Sequence, residues 1–368
     1  MATKYTYNEK KGYWSTLIWD GTYDADGRKH RKQLTSKKSS ADLEKKVAAF
    51  KKEIEEKGAV SKHSGTPFLI YAREWLEISK ASKELNTRNM YRRVIEKYFD
   101  IIADIPISEI RHSHFQAVIN SQLDHPRTCQ QIALTFRQII RYAAKNHHIA
   151  AGDVNDIIGD ISIPKYKKPQ KRALNAVEKA AIENAELDPR GRAFLSILYY
   201  CGLRRGEALA LQVDDFDWKA PSVSVTKAVV FDENDPVLKY HPKSDRGVRK
   251  VPIPEKAVPL IKDYVLEQDD FLFRGQNRSM MSKMAFRCMW EGIMKSLNDA
   301  AVEDGPIDEL TPHMLRHNYC TELCYQVPRI STKMIARLLG DDERMVLDVY
   351  GHIMEEKEDL QFALSEAF

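Results

Sequence analysis

The sequence predicts a multidomain protein that is mainly α-helical and carries small β-sheets. Alternating aromatic and polar residues fill the first 35 positions, and apolar residues at helical spacing run from 67 to about 158. A third, mainly helical region is interrupted by a second β pattern between 222 and 253. At 368 residues with 43% hydrophobic content, the chain is long enough for two or three domains. We therefore expect an N-terminal three-stranded sheet with one helix, an all-helical domain and an α+β domain.

The first predicted domain spans residues 1–62. Strand-like alternation occurs in three segments, which are Lys4–Tyr7, Tyr13–Trp19 and His30–Thr35. Ser39 or Ser40 is then placed to cap a helix that runs to about Lys57. The strands carry aromatic and cationic side chains typical of a surface that reads a DNA groove, among them Trp19, Lys29 and Arg31. The alternative is a small solvated sheet whose aromatic residues only cover the helix.

The second predicted domain spans residues 66–160 and follows a run of helix-breaking residues, Ser61–Pro67. Its apolar stripes repeat every three to four residues, which predicts helices packed around a core. The polar faces carry arginines that suit a polyanionic partner such as DNA, and our candidates there are Arg88, Arg92, Arg93, Arg137 and Arg141. A basic, Pro-bounded linker at 161–173 supplies five more candidates, Lys165, Lys167, Lys168, Lys171 and Arg172, which neutralise phosphates if the linker is more than a solvated tether.

The third predicted domain spans residues 174–368. Helical patterns surround a β region predicted at Ser222–Phe231, Val237–His241 and Arg249–Ile253. A turn at Ser244–Gly247 then places Lys243 on a hairpin. The last residues, from Glu355 to Phe368, have the pattern of a short amphipathic helix.

Composition and charge narrow the possible functions. Residues 1–62 hold 15 Lys and Arg against 9 Asp and Glu, and residues 63–172 hold 17 against 11, whereas residues 173–368 hold 25 against 33. The charge that faces DNA is thus expected in the first half, and a site in the second half needs locally placed cations. The five cysteines form no Cys-x-x-Cys pair, so we expect no metal site. Without a membrane-spanning stretch, we expect a cytoplasmic protein that associates with the nucleoid when it acts.

Four short motifs in the third domain together offer what is needed to break a phosphodiester without a metal. Arg204 and Arg316, in different motifs, can hold the phosphate from two sides because the planar guanidinium matches phosphate oxygens. Tyr350 is the candidate nucleophile, since a Tyr hydroxyl can form a covalent phosphotyrosine. Lys243 is the candidate proton donor to the departing sugar oxygen. His313 lies three residues before Arg316 on the same predicted helix face, beginning at Thr311–Pro312.

Two further residues are assigned supporting roles. Glu207, at i+3 from Arg204, is expected to buttress an arginine. His317 is expected to be structural or supporting. A single Arg-x-x-Glu pair or a lone Tyr is usually an ordinary surface or core feature, so the assignment depends on all the motifs occurring together.

The order of these motifs along the chain resembles that of the tyrosine recombinase family of phage and conjugative-transposon integrases. The motifs are, in order, Cys201-Gly202-Leu203-Arg204, Lys243, His313 with Arg316, and Leu338-Leu339-Gly340 followed by Tyr350. The resemblance covers residues 174–368 well and the rest more loosely. It implies a catalytic domain of the tyrosine recombinase type preceded by an arm-binding domain and a core-binding domain. It also implies a 3′-phosphotyrosyl intermediate, no cofactor, and a homotetramer on double-stranded DNA that contacts crossover core sites and arm-type accessory sites. An excision factor or a host DNA-bending protein is a further expected partner, and the C-terminal helix is an expected assembly contact.

One position departs from the family pattern. The family places His or Trp after the Leu-Gly pair, as a donor to a phosphate oxygen, whereas this chain has Asp341. We expect Asp341 to act as an ionised acceptor that orients an Arg or His, and a protonated, donating carboxyl is the alternative. Two other functions stay open at this point. A type IB topoisomerase uses nearly the same chemistry, and Asp341 also raises the alternative of a catalytically weakened DNA-binding module.

Overall fold

The structure, a computed structural model, describes residues 5–23, 29–57, 60–61, 65–167, 172–240, 247–275, 279–301, 305–307 and 309–357. The chain divides into two compact units, residues 1–168 and residues 169–368. Both units are mostly helical with small sheets, as the sequence predicts. In the part of the chain that is described, no helix combines the length and the apolar character needed to cross a bilayer.

The first unit begins with a small sheet covered by one helix. Its elements are β1 (Thr6–Asn8), β2 (Tyr13–Tyr23), β3 (Lys29–Ser36), α1 (Ser40–Lys57) and β4 (Val60–Ser61). Strand β2 pairs antiparallel with β1 and β3, which gives the expected three-stranded sheet. The short strand β4 also pairs with β2, in parallel, and extends the sheet at a place where the sequence shows only helix-breaking residues. Leu43 of α1 is fully buried and forms part of the small core.

The rest of the first unit is helical. It contains α2 (Phe68–Ser79), α3 (Leu85–Tyr98), α4 (His112–Asn120), α5 (Pro126–Lys145) and α6 (Val154–Ile158). Phe136 of α5 lies at the centre of the core, where its ring stacks on Phe115 at 4.0 Å between centroids. The predicted stripes therefore face inward, because residues three and four apart share one face of a helix.

The second unit is built around a buried helix. Its helices are α7 (Ala176–Asn184), α8 (Pro189–Cys201), α9 (Arg205–Leu209), α10 (Val258–Leu266), α11 (Lys283–Ala300), α12 (Pro312–Cys324), α13 (Thr332–Leu339) and α14 (Glu343–Lys357). Helix α8 is buried on most sides and packs against α10, α11 and α12. The C-terminal part of α12 shares a separate small core with α13 and α14. Helix α12 thus connects the large core to the C-terminal helices.

The β region of the second unit differs from the prediction. Its strands are β5 (Phe216–Asp217), β6 (Ser222–Val225), β7 (Ala228–Asp232), β8 (Asp235–Lys239) and β9 (Arg249–Pro252). The single strand predicted at Ser222–Phe231 is two strands in different sheets, since β6 pairs with β5 and β9 while β7 pairs with β8. The chain changes sheets at Lys227, whose ammonium group is buried against Asp215 at 2.8 Å.

The sequence also predicts that the strands before and after Lys243 pair with each other as a hairpin, and this prediction is wrong. Among the described residues, β8 pairs with β7 and β9 pairs with β6, so the segment between β8 and β9 connects two sheets. Lys243 itself lies outside the described residues, as do Ser244 and most of the predicted C-terminal helix, residues 358–368.

Candidate active site

Arg204 is placed by a sharp turn between two helices. Helix α8 ends at Gly202, whose φ of 62° is in the left-handed region that favours glycine, and a Cβ there would lie 2.2 Å from Cδ1 of Tyr319. Two residues later Arg204 is the N-terminal cap of α9. Glu207 accepts from the Arg204 backbone N–H and from Nη1, each at 2.8 Å. Glu207 therefore binds both the backbone and the side chain of Arg204.

Arg316 enters the same site from α12, which begins at Pro312 as predicted. Its side chain is 3% exposed. Nη1 donates to the carbonyl of Gly202 at 2.7 Å, and Nη2 donates to the carbonyl of Leu339. Backbone carbonyls from two separate turns therefore fix the orientation of this guanidinium.

The end of α13 supplies acceptors to both arginines. Gly340 has a φ of 65°, and the Asp341 N–H donates to the carbonyl of Ala336 at 3.1 Å, which closes the helix in a Schellman turn. The carbonyls of Leu339 and Gly340, left without partners inside the helix, accept from Arg316 and from Arg204 respectively. Positive side chains are favoured here because the helix dipole places partial negative charge at its C-terminus.

Asp341 lies between the two arginines. Oδ1 accepts from Nη2 of Arg204, and Oδ2 accepts from Nη2 of Arg316 at 2.5 Å. The carboxylate is 30% exposed, so it stands at the open side of the arginine pair. In this structure Asp341 is an acceptor that both guanidinium groups share, which is the geometry expected for an orienting carboxylate.

A third arginine, which no sequence motif marks, completes the network. Arg249 is the first residue of β9, and its side chain is 2% exposed. It forms a two-pronged contact with Glu207, with Nη2 to Oε2 at 2.7 Å and Nη1 to Oε1 at 3.1 Å. Its Nε donates to the carbonyl of Leu338 at 2.7 Å. The available signal was strand alternation, because Arg249 is in phase with the buried Val251.

Burial and charge act in opposite directions in this network. Burial alone would raise the pKa of Glu207, but Arg249, with Arg316 and Arg204, lowers that pKa below its ordinary value. Burial and the neighbouring Arg204 lower the pKa of the Arg316 guanidinium, while Glu207 and Asp341 act to raise it. With three arginines and two carboxylates ionised, the network has a net charge of +1, which favours an anion.

The remaining candidate residues of the second unit lie on helices that adjoin the arginine pair. Tyr350 is half-buried on α14 and packs against the small core formed with α12 and α13. His313 is exposed and precedes Arg316 by one helical turn. His317 is half-buried, and its Nδ1 lies 3.4 Å from Oγ1 of Thr321. These three residues are thus carried by α12 and by the helix packed directly on it.

The candidate DNA contacts fall into three groups. Several already hold partners within the protein. Arg88 donates to Glu77 at 2.9 Å, Arg92 to Asn89 at 2.8 Å, Arg137 to the Ile158 carbonyl at 3.5 Å, and Arg172 to both carboxylate oxygens of Glu178 at 2.7 Å. Six others are exposed, namely Lys29, Arg31, Arg93, Arg141, Lys165 and Lys167. Lys168 and Lys171 lie outside the described residues.

On the N-terminal sheet, the three candidates lie close together. Trp19 is opposite Arg31 in the strand register, and Nζ of Lys29 lies 4.8 Å from the centroid of the Trp19 ring. An aromatic ring beside two cations of the neighbouring strand is typical of a nucleic-acid-binding face.

Comparison with known proteins places this geometry in a family. The phage integrase family matches residues 167–357. The tyrosine recombinase XerD of Corynebacterium glutamicum is 22% identical over 310 residues, which are 77% of this chain and 93% of that protein. The tyrosine recombinase XerC of Alcanivorax borkumensis is 27% identical over 245 residues, which are 64% of this chain and 72% of that protein.

Solved structures share the fold. The Tn1549 transposon integrase in complex with a circular intermediate DNA matches with a TM-score of 0.63 and 17% identity, over 80% of this chain and 100% of that one. A lambda integrase tetramer bound to a Holliday junction matches with a TM-score of 0.56 and 16% identity, over 94% of this chain and 95% of that one.

Proposed function

Because the chain belongs to the phage integrase family, we propose that it is a tyrosine-type site-specific DNA recombinase that integrates and excises a mobile element. The observation that carries this proposal is the meeting of Arg204 and Arg316 on one carboxylate. Two guanidinium groups that converge on two oxygen atoms also match the non-bridging oxygens of a phosphodiester. Backbone carbonyls and Glu207 hold both side chains, so little reorganisation is needed when a phosphate arrives.

The proposed reaction needs no metal or nucleotide. The Tyr350 oxygen attacks the scissile phosphorus, a P–O bond to the tyrosine forms, and the bond from phosphorus to the 5′-oxygen breaks. Arg204, Arg316 and His313 stabilise the charge that gathers on the non-bridging oxygens. Lys243 gives the departing 5′-oxygen its proton. A 5′-hydroxyl from a partner strand then attacks the 3′-phosphotyrosyl bond and releases the tyrosine, so the bond energy is conserved.

The domain assignment is part of the same proposal. Residues 1–62 bind arm-type sites, residues 66–160 bind the crossover core site, residues 161–173 form a basic linker, and residues 174–368 carry the chemistry and a C-terminal assembly helix. The exposed cations on the N-terminal sheet and on α3 and α5 support DNA contacts in the first unit. Sequence discrimination requires base contacts in addition to these phosphate contacts.

The expected partners are double-stranded DNA and other copies of this chain. The similar solved structures, a transposon integrase in complex with a circular intermediate DNA and a lambda integrase tetramer bound to a Holliday junction, support a tetramer on DNA. An excision factor or a host DNA-bending protein would act with this assembly, on DNA in the bacterial cytoplasm.

The decisive test is covalent capture on a nicked duplex. A duplex selected from a random library for tight binding is nicked next to the cleavage position, so that the broken end diffuses away and the adduct accumulates. Tyr350→Phe should bind this duplex normally and form no adduct, because only the attacking oxygen is removed. The matched control is Tyr325→Phe, at an exposed tyrosine that follows α12, which should form the adduct at the wild-type rate.

The possible results separate the functions. An adduct with Tyr350→Phe that survives denaturant would place the nucleophile elsewhere. No adduct with the wild-type protein would indicate a DNA-binding module. Relaxation of a supercoiled plasmid that lacks the selected sequence would favour a type IB topoisomerase.

A further inference from the structure

Arg249 is a buried arginine whose hydrogen-bond partners all lie within its own unit of the protein. Its side chain is 2% exposed, and four of its five N–H groups donate to Glu207, Gly247 and Leu338. A buried charge is destabilising unless it is paired and hydrogen-bonded, and Arg249 meets both conditions. Since so little of the side chain reaches solvent, any effect of Arg249 on DNA cleavage must act through its neighbours.

The first route from Arg249 leads to Arg204 through Glu207. Each carboxylate oxygen of Glu207 accepts two hydrogen bonds, one from Arg249 and one from Arg204. The planar fork of Arg249 therefore fixes the plane of the carboxylate that orients Arg204. Arg249 also shares the negative charge of Glu207 with Arg204. With Arg249 present the three groups have a net charge of +1, and without it Glu207 would neutralise Arg204 completely.

The second route leads to the end of α13. Nε of Arg249 donates to the carbonyl of Leu338, and the carbonyls of the next two residues accept from Arg316 and Arg204. Three successive carbonyls at one helix end thus accept hydrogen bonds from three different arginines. Asp341 follows directly, so the bond to Leu338 ties β9 to the turn that aims the Asp341 carboxylate.

We propose that Arg249 is a positioning residue of the strand-cleavage site, which sets Arg204 through Glu207 and the Asp341 turn through Leu338. This inference rests on the proposed function, in which Arg204 holds the scissile phosphate. Arg249 does not touch the phosphate. It keeps the arginine pair aligned with the phosphate, and because it shares the charge of Glu207, the positive charge of Arg204 is not fully neutralised.

Two substitutions separate the effect of the planar shape of Arg249 from the effect of its charge. Arg249→Lys keeps the positive charge but loses the fork on Glu207 and the Nε bond to Leu338. Arg249→Met loses both shape and charge. Because a misplacement of about 1 Å can cost on the order of 100-fold in rate, we expect Arg249→Met to lower cleavage about 100-fold and Arg249→Lys about tenfold.

The test measures single-turnover adduct formation on the selected nicked duplex at saturating protein, with the Kd for the same duplex and the thermal midpoint of each variant. The matched control is Lys227→Met, which breaks another buried ion pair of the same unit, to Asp215 at 2.8 Å and 2.9 Å. We expect Lys227→Met to lower the thermal midpoint and cleave within twofold of wild type. Both Arg249 variants should lose rate while their Kd stays within twofold of wild type.

A double variant checks the route through Glu207. If Arg249 acts by orienting Glu207, Glu207→Gln combined with Arg249→Met should lose little more rate than the worse single variant. Cleavage by Arg249→Lys within twofold of wild type would overturn the proposal, and so would an equal loss in Lys227→Met. Failure of the proposed function is recognised separately, because the wild-type protein would then form no adduct at Tyr350.

Discussion

Replacing Asp341 with His should raise the rate of strand cleavage. The carboxylate now accepts from Nη2 of both Arg204 and Arg316, which are the atoms proposed to hold the phosphate. Each arginine keeps other acceptors when this carboxylate is removed. Arg316 retains the Gly202 carbonyl at 2.7 Å, and Arg204 retains Glu207 at 2.8 Å and the Gly340 carbonyl at 3.1 Å. The arginine pair should therefore keep its orientation in the variant.

The magnitude follows from the charge that is removed. A phosphate that binds the same two guanidinium groups would lie about 5 Å from the carboxylate, where the one further negative charge that gathers in the transition state is repelled by about 3 kcal/mol at an effective dielectric constant of about 20. Because the carboxylate is 30% exposed, solvent screening reduces this repulsion, and we halve it. The resulting stabilisation of about 1.5 kcal/mol corresponds to about a tenfold faster reaction. An imidazole N–H that reaches a phosphate oxygen would add up to about 3 kcal/mol.

The assay is the first-order rate of adduct formation on the nicked duplex at neutral pH. The matched control is Asp342→His, which makes the same charge change one residue later, at an exposed carboxylate that accepts from the Arg344 backbone N–H at 3.0 Å. We expect this control to cleave at the wild-type rate. We also expect no rise in the wild-type rate between pH 8 and pH 6, since an acceptor needs no proton. A wild-type rate that rises on acidification, with an inactive Asp341→His, would show that a protonated carboxyl donates to the phosphate.

Three other outcomes are expected. Lys243→Ala should slow cleavage of ordinary DNA but cleave a duplex with sulfur at the 5′-bridging position almost normally, because a thiolate leaves without a proton; equal losses on both substrates would remove Lys243 from this role. Deletion of residues 1–62 should leave cleavage of isolated crossover sites intact and abolish the arm-site footprint; an unaltered footprint would contradict the arm-binding assignment. Glu207→Gln should destabilise the protein at pH 7 by about 3 kcal/mol, since it leaves Arg249 buried without its partner. The folded-state pKa of Glu207 is lowered from 4.5, so its stabilisation is present above that pH and lost as pH falls through the folded pKa. Denaturant unfolding should show that the wild type and the variant differ less in free energy of unfolding below pH 4 than at pH 7. An equal difference at both pH values would refute the link between Glu207 ionisation and stability.

Local patterns predict most elements but not which strands pair. Helices α2 to α6 follow apolar repeats that each helix carries within itself. The pattern Ser222–Phe231 is equally regular, yet its two halves belong to different sheets, and Lys227 at the change pairs with Asp215, twelve residues earlier. Strand β4 is likewise formed only by its pairing with β2. Long-range partners of this kind leave no local signature in a single sequence.

The candidate site likewise contains residues that local motifs predict and residues that only the fold brings together. Arg204, Glu207 and Arg316 each lie in a motif with recognisable spacing, and the structure joins Arg204 to Glu207 directly and to Arg316 through Asp341. Arg249 has no motif around it, and its role depends on a carboxylate 42 residues away. The backbone acceptors could not be predicted either, because every residue has a carbonyl and only the fold decides which ones lack a partner.

The end of α13 explains why the Leu-Leu-Gly sequence accompanies the proposed catalytic side chains, to which it contributes no functional group. A helix end leaves its last carbonyls without partners, and here three consecutive ones, from Leu338 to Gly340, accept from three arginines. Gly340 permits the left-handed turn that ends the helix at this point and directs Asp341 back towards the arginine pair. The motif therefore specifies a backbone shape that aligns cations, whereas the residue after it supplies the group that, under the proposed function, faces the phosphate. This division of roles allows Asp341 to replace a His or Trp while the arginine framework stays in place.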